Sequence, residues 1–129
     1  MRHFESGSAE SYAVGEVDVA RWEQYGLGDV MPFNAMWYTV PPGVSSPRDC
    51  HPELELSVVI DGTAAVEAGG RTTEVRKGSC FLLDSDEAHV IHNRSADQPV
   101  VVFTTYWMPL AEPAAQPAVQ PAVAGEGAR

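Results

Sequence analysis

Asp49, His51, Glu55 and His89 are the residues whose types and spacing could do chemistry. Asp49, His51 and Glu55 lie at even intervals. Alternate residues of a strand face the same side, so a continuous strand would aim all three one way, and His89 would join them from a later strand. Glu53 shares their parity and is a reserve ligand if the strand bulges. Imidazole and carboxylate donors together suit first-row divalent ions, here Fe(II) or Zn(II), with Mn(II) and Ni(II) as further choices. The competing reading is a solvated strand face of ordinary polar residues. Two histidines and two acids at these offsets point instead to a metal site.

A repeating glycine frame surrounds these residues. The first block, PPGVSSPRDCHPELELSVVIDG, runs from Gly43 to Gly62. The second, KGSCFLLDSDEAHVIHN, runs from Gly78 through His89 to Asn93. Together they resemble the two motifs of the cupin superfamily, G-x5-H-x-H-x3-E-x6-G and G-x5-P-x-G-x2-H-x3-N. Gly43, His51, Glu55, Gly62, Gly78, His89 and Asn93 match in register. Asp49 stands where the family has its first histidine, and Asp84 and Asp86 replace proline and glycine. The last two are turn substitutions, because Asp also favours turns.

The resemblance implies a divalent metal on His51, Glu55 and His89, and it makes Asp49 the distinctive position. If Asp49 ligates, the site has two histidines and two carboxylates, and a divalent ion has its charge formally cancelled. If it stands back because its side chain is shorter, it is a candidate catalytic base beside the metal. His51, Glu55 and His89 then form a three-ligand set with open positions, which suits non-haem iron or a four-coordinate zinc carrying water.

The elements that must position these groups read as an all-β domain. FNAMWYTV at 33–40, LELSVVI at 54–60, TAAVEA, RTTEVR, SCFLL, AHVI and PVVVFTTYW are short β-branched and aromatic runs split by turn residues,. Asp61-Gly62 reads as a hairpin turn, and Gly69-Gly70 as another. With the motifs, the expected fold is a cupin double-stranded β-helix, or jelly-roll barrel, over residues 33–108. Residues 1–32 read as an N-terminal arm. Within it VDVARWEQYGL predicts a short helix, with Asp18 as N-cap and Gly26 or Gly28 as its stop. Residues 109–129, rich in Pro and Ala, read as a disordered tail.

Composition narrows the partners. The chain has 129 residues and a formal net charge of −10, with 18 acids against 8 bases. That argues against nucleic acid and against an anionic membrane surface. No apolar run is long enough to span a bilayer, and the N-terminus lacks a signal peptide's apolar stretch, so a cytoplasmic location is expected. Cys50 and Cys80 offer no disulfide framework and read as buried free thiols. His92 falls on the opposite face from His89, and His3 reads as tail. Trp37, Tyr38, Tyr106 and Trp107 read as core, with one or two at the pocket mouth. Arg48 and Arg94 flank the motifs and could steer a carboxylate substrate.

A barrel this small encloses a small cavity. The expected function is a metalloenzyme acting on a small polar metabolite, assembled as a homodimer, of oxygenase, isomerase, cyclase or lyase type. Two alternatives stay open. One is a non-catalytic ligand-binding or sensing cupin. The other follows from HPELELSVVIDGTAAVE, FLLDSDEAH and YWMP, which resemble small cupins of bacterial specialised metabolism. Some of those work beside a methionyl-tRNA-synthetase-like partner in forming N–N bonds.

Overall fold

The structure, a computed structural model, describes residues 1–111. The predicted tail, beyond Ala111, lies outside the described residues. Nine strands appear among those residues: β1 (Tyr12–Val14), β2 (Val17–Arg21), β3 (Asn34–Val40), β4 (Leu54–Asp61), β5 (Thr63–Ala68), β6 (Arg71–Arg76), β7 (Cys80–Leu83), β8 (His89–His92) and β9 (Val100–Trp107). They form two antiparallel sheets, one of order β1-β2-β3-β9-β4-β7 and one of order β6-β5-β8. This is the jelly-roll arrangement expected from the turn-punctuated sequence.

Period-2 alternation builds the core between the sheets. In β4, Glu55, Ser57 and Val59 are buried, while Leu54, Leu56 and Val58 are only half-covered on the other face. Val40, Val59, Val100 and Val102 are fully enclosed, and Val66, Val75, Leu83 and Ile91 join them. Each such branched side chain contributes about 1.5–3 kcal/mol by leaving water. Buried polar residues are few. Among them Glu55, Ser57, His89 and Thr104 belong to the site described below.

The structure departs from the sequence reading at three places. The predicted helix over VDVARWEQYGL is a strand followed by a single 3₁₀ turn at Trp22–Tyr25. Val17 and Val19 alternate with exposed Asp18, and β2 pairs with β3 with Val19 opposite Tyr38. Cross-strand packing outweighs the weak helical propensity there. Asp18 therefore caps nothing, although Gly26 does end the 3₁₀ turn with φ 65°. The large sheet thus begins at Tyr12, well before residue 33.

The second departure is at Asp61-Gly62. It does not join two paired strands. β4 belongs to the larger sheet and β5 to the smaller, so the pair makes the corner where the chain changes sheet. The Gly69-Gly70 turn does join paired strands, with Ala68 opposite Arg71 and both glycines at positive φ, as a two-residue hairpin requires.

Third, both cysteines are exposed rather than buried. Cys50 lies on an irregular segment, with its Sγ 3.4 Å from the Asp86 carbonyl. Cys80 starts the edge strand β7 and faces outward.

Candidate metal centre

The site is built where an irregular stretch, residues 44–53, passes along β8 and runs into β4. The expected continuous strand through Asp49, His51 and Glu55 does not form. Instead, isolated bridges place Ser45 opposite His92 and Asp49 opposite His89. Four steps on one side face three on the other, so the 45–49 side carries one extra residue, a bulge. Ser46 fills the gap: its N–H donates to the Ile91 carbonyl at 2.8 Å, and its Oγ accepts from the Ile91 N–H at 2.9 Å. Asp49 and His89 exchange both main-chain hydrogen bonds, at 3.0 and 2.9 Å. The turn at 84–87 ties in from the other side, with the Asp86 N–H donating to the His51 carbonyl at 2.8 Å. Asp86 has φ 60°. This is the left-handed conformation, which Asp tolerates better than most residues,.

These supports bring three of the four predicted residues into one cluster and the fourth against it. Asp49, His51 and His89 each offer a ligand atom within 4.8 Å of the others. Glu55 Oε2 lies 3.0 Å from His51 Nε2 and 3.9 Å from His89 Nε2. The imidazole planes are nearly perpendicular, with ring centroids 5.3 Å apart.

Hydrogen bonding decides what this cluster fits. His51 Nδ1 lies 3.1 Å from the Glu53 carbonyl, and His89 Nδ1 lies 2.9 Å from the Glu87 carbonyl. A carbonyl only accepts, so each Nδ1 carries the proton and donates. In the neutral rings, Nε2 is then a lone pair. With both rings neutral, two imidazole lone pairs converge with a carboxylate oxygen, a donor set that can hold a cation. The His51–Glu55 spacing of 3.0 Å suits one, while the 3.9 Å from Glu55 to His89 is wider. Two ligands about 2.1 Å from an ion stand about 3.0 Å apart at a right angle and about 3.4 Å apart at the tetrahedral angle.

Glu55 is held for this role. It is buried, and its Oε1 accepts from Ser57 Oγ at 3.2 Å and Thr104 Oγ1 at 3.1 Å, leaving Oε2 facing the histidines. Ser57 Oγ and Thr104 Oγ1 also lie 2.8 Å apart, so the two hydroxyl protons are shared among these three contacts,. Such outer contacts fix ligand orientation. Asp49 is exposed, and its Oδ1 accepts from the Cys50 N–H at 2.8 Å.

Beside the cluster lies a cavity of about 210 Å³, onto which Asp49, Glu55 and His89 open. Its wall is largely apolar, from Val17, Val19, Met36 and Ile91, with Arg21 and Arg48 also lining it. Tyr38 lines it too, and its buried Oη has no hydrogen-bond partner. Burial, with the Glu55 carboxylate adding to it, pushes the Tyr38 phenol well above its ordinary range, so it stays protonated,.

The chain's similarity to known proteins agrees with this geometry. A family model described as Cupin domain matches residues 36–106. The chain belongs to the cupin family.

Several proteins of known structure resemble it. A Photorhabdus luminescens protein is 26% identical with a TM-score of 0.70, covering 83% of this chain and 86% of its own. A cupin conserved-barrel protein of Salinispora arenicola is 20% identical with a TM-score of 0.68, covering 83% and 87%. A polyketide cyclase, RemF, of Streptomyces resistomycificus is 18% identical with a TM-score of 0.69, covering 82% and 79%. The last two likenesses speak to the fold. In sequence, an uncharacterised protein of Streptomyces coelicolor is 32% identical over 65 residues, which is 50% of this chain. The chain spans 62% of that relative's length.

Other predicted residues in this cupin fall outside the cluster. Glu53 sits behind His51, with its carboxylate 3.5 Å from Nδ1. His92 faces outward, between Ser45 Oγ at 2.6 Å and Glu67 Oε2 at 2.9 Å. Arg94 lines a different depression, with Thr63 and Thr72. Trp37 packs on Trp22 and Phe103, with centroids 5.0 and 5.4 Å away. Trp107 is half-buried at the end of β9, and exposed His3 pairs with Glu5 at 2.9 Å.

Sequence reasoning missed Ser57, Thr104 and Arg21. Ser57 had a signal, since it shares the strand parity of Glu55. Arg21 had none, because it reaches the cavity from a strand that read as helix.

Proposed function

We propose that this cupin is a metal-dependent enzyme acting on a small metabolite in the cavity beside His51, Glu55, His89 and Asp49. The observation that carries the reading is the two imidazole Nε2 atoms meeting Glu55 Oε2, with both Nδ1 positions facing backbone carbonyls. His51, Glu55 and His89 are the proposed ligands. A divalent ion held there would polarise a substrate oxygen as a Lewis acid.

Asp49 supplies the remaining chemistry. It is exposed at the cavity wall, and one of its oxygens is already engaged by the Cys50 N–H. A carboxylate in that place can take a proton from the bound substrate. The Asp49→Asn variant separates the two roles. Retained metal with turnover lowered about 100-fold or more is the expected result, since general-base catalysis contributes about 10²–10⁴-fold. Loss of metal with turnover would make Asp49 a ligand instead. The competing class is a cupin that only binds its metabolite. Quantitative recovery of an unchanged, tightly bound metabolite from metal-loaded protein, with and without oxygen, would favour that class.

We also propose that the chain works as a homodimer. The outer face of β4 and β7 leaves Ile60 and Leu82 43% and 52% exposed, and β7 is a sheet edge. Apolar surface and an unpaired edge both favour association. Multi-angle light scattering at micromolar concentration should give twice the chain mass. A monomer there would contradict the dimer.

A further inference from the structure

We propose that the cavity takes a small amphipathic carboxylate, its acid group held by Arg21 and Arg48 and its apolar body lying against β1, β2 and β3. The proposal deepens the reading of this cavity as the substrate site and rests on that reading.

Arg21 and Arg48 are set apart by their place, since both line the cavity beside the candidate metal cluster. The chain carries 18 acidic residues, yet among the described residues every ion pair involves a histidine, and neither arginine has a carboxylate partner. Arg21 is held in place by hydroxyls rather than by an acid. Its Nε donates to Tyr12 Oη, its Nη1 donates to Tyr106 Oη at 2.8 Å, and its guanidinium carbon lies 5.7 Å from the Tyr106 ring centroid. Tyr106 Oη in turn donates to Glu23 at 3.2 Å. Neutral partners fix the side chain without cancelling its charge. Nη2 has no partner among the described residues, so its N–H groups are left to donate to a ligand. A guanidinium already positioned this way loses little freedom on binding an anion.

The rest of the wall selects the body of the ligand. Val14, Val17, Val19, Met36 and Ile91 present aliphatic surface. Such a wall favours a ligand with an aliphatic body, so the proposal narrows the small polar metabolite expected from sequence to an amphipathic one. The N-terminal hairpin closes this side tightly: a Cβ at Gly15 would stand 2.7 Å from Pro47 Cγ, next to Arg48. Val14 through Arg21 precede the matched region 36–106.

A carboxylate fits better than a phosphate. Phosphate dianions are usually met by clustered main-chain N–H groups at a helix N-terminus or nest. This cavity is instead lined by side chains on strands and already holds Asp49 and Glu55. A carboxylate monoanion can accept from the Nη2 N–H groups of Arg21 and meets less repulsion from those acids. The volume of about 210 Å³ accommodates a small acid.

Isothermal titration with 4-methylpentanoate, 4-methylpentanamide and isopentyl phosphate tests this on zinc-loaded and on chelator-treated protein, with metal content measured on each preparation. The acid should bind at least about tenfold tighter than its neutral amide, and the preference should shrink as salt is raised. Arg21→Gln should remove most of that preference with metal content unchanged, and Arg21→Lys should restore part of it. Equal binding of acid and amide, or no binding of either, would overturn the proposal. So would tighter binding of the phosphate. An acid preference that vanishes on chelation but survives Arg21→Gln would also overturn it, because the acid would then sit on the metal. A preference that persists in zinc-free protein and depends on Arg21 supports the arginine site, even if metal analysis goes against the metal reading.

Discussion

Replacing His89 by alanine is expected to lower affinity for a divalent ion by at least about a hundredfold. Loss of an outer partner to a ligand costs about 10–100-fold in metal affinity, and loss of a ligand should cost no less. The bridge between residues 49 and 89 is made by main-chain atoms, so the substitution removes the imidazole without releasing the segment that carries Asp49. Competition against a chromophoric chelator reads the affinity directly. His51→Ala should behave alike. His92→Ala is the control, because His92 faces outward between Ser45 and Glu67. Its metal affinity should match the native chain. Equal losses at His89 and His92 would mean that the cluster does not hold the ion.

The largest expected effect on stability is at the corner between sheets. Gly62 has φ 84°, and a Cβ there would stand 2.4 Å from the Pro99 carbonyl oxygen and 3.0 Å from Val100 Cα. Both atoms are backbone and cannot rotate away. Gly62→Ala should destabilise the fold by about 2–4 kcal/mol, from the left-handed conformation and the overpacking together. Gly70 separates the two causes. It has a similar φ of 73° but nothing within 4 Å, so Gly70→Ala should cost only about 1 kcal/mol. Urea unfolding of both variants measures the difference. Equal losses would show that the approach to Pro99 is not rigid.

The contrast between these glycines bears on what could be read before the structure. The frame of glycines, His51, Glu55 and His89 was legible because motif spacing and turn chemistry are local properties. So were the strands from β3 to β9, whose β-branched runs are bounded by Gly and Asp. The hairpin at Asp61-Gly62 was misread because a turn's residues do not say which sheet the next strand joins. The route by which Asp49, His51 and Glu55 converge was also misread. Strand parity predicted a straight path, whereas the chain uses a bulge filled by Ser46 and a turn tied down by Asp86. Arg21 was invisible for a different reason. Its role depends on Tyr12 and Tyr106, nine and 85 residues away in sequence, and on a register that only the packed sheet defines. The exposure of Cys50 has the same origin, since it follows from the irregular path and not from its neighbours' types.

The central claim is that His51, Glu55 and His89 hold one divalent ion. Elemental analysis of protein freed of metal, supplemented with zinc or anaerobic iron(II) and desalted, tests it most directly. The account predicts about one ion per chain, lost in both His51→Ala and His89→Ala. Stoichiometry near zero in the native chain under both supplements would contradict it.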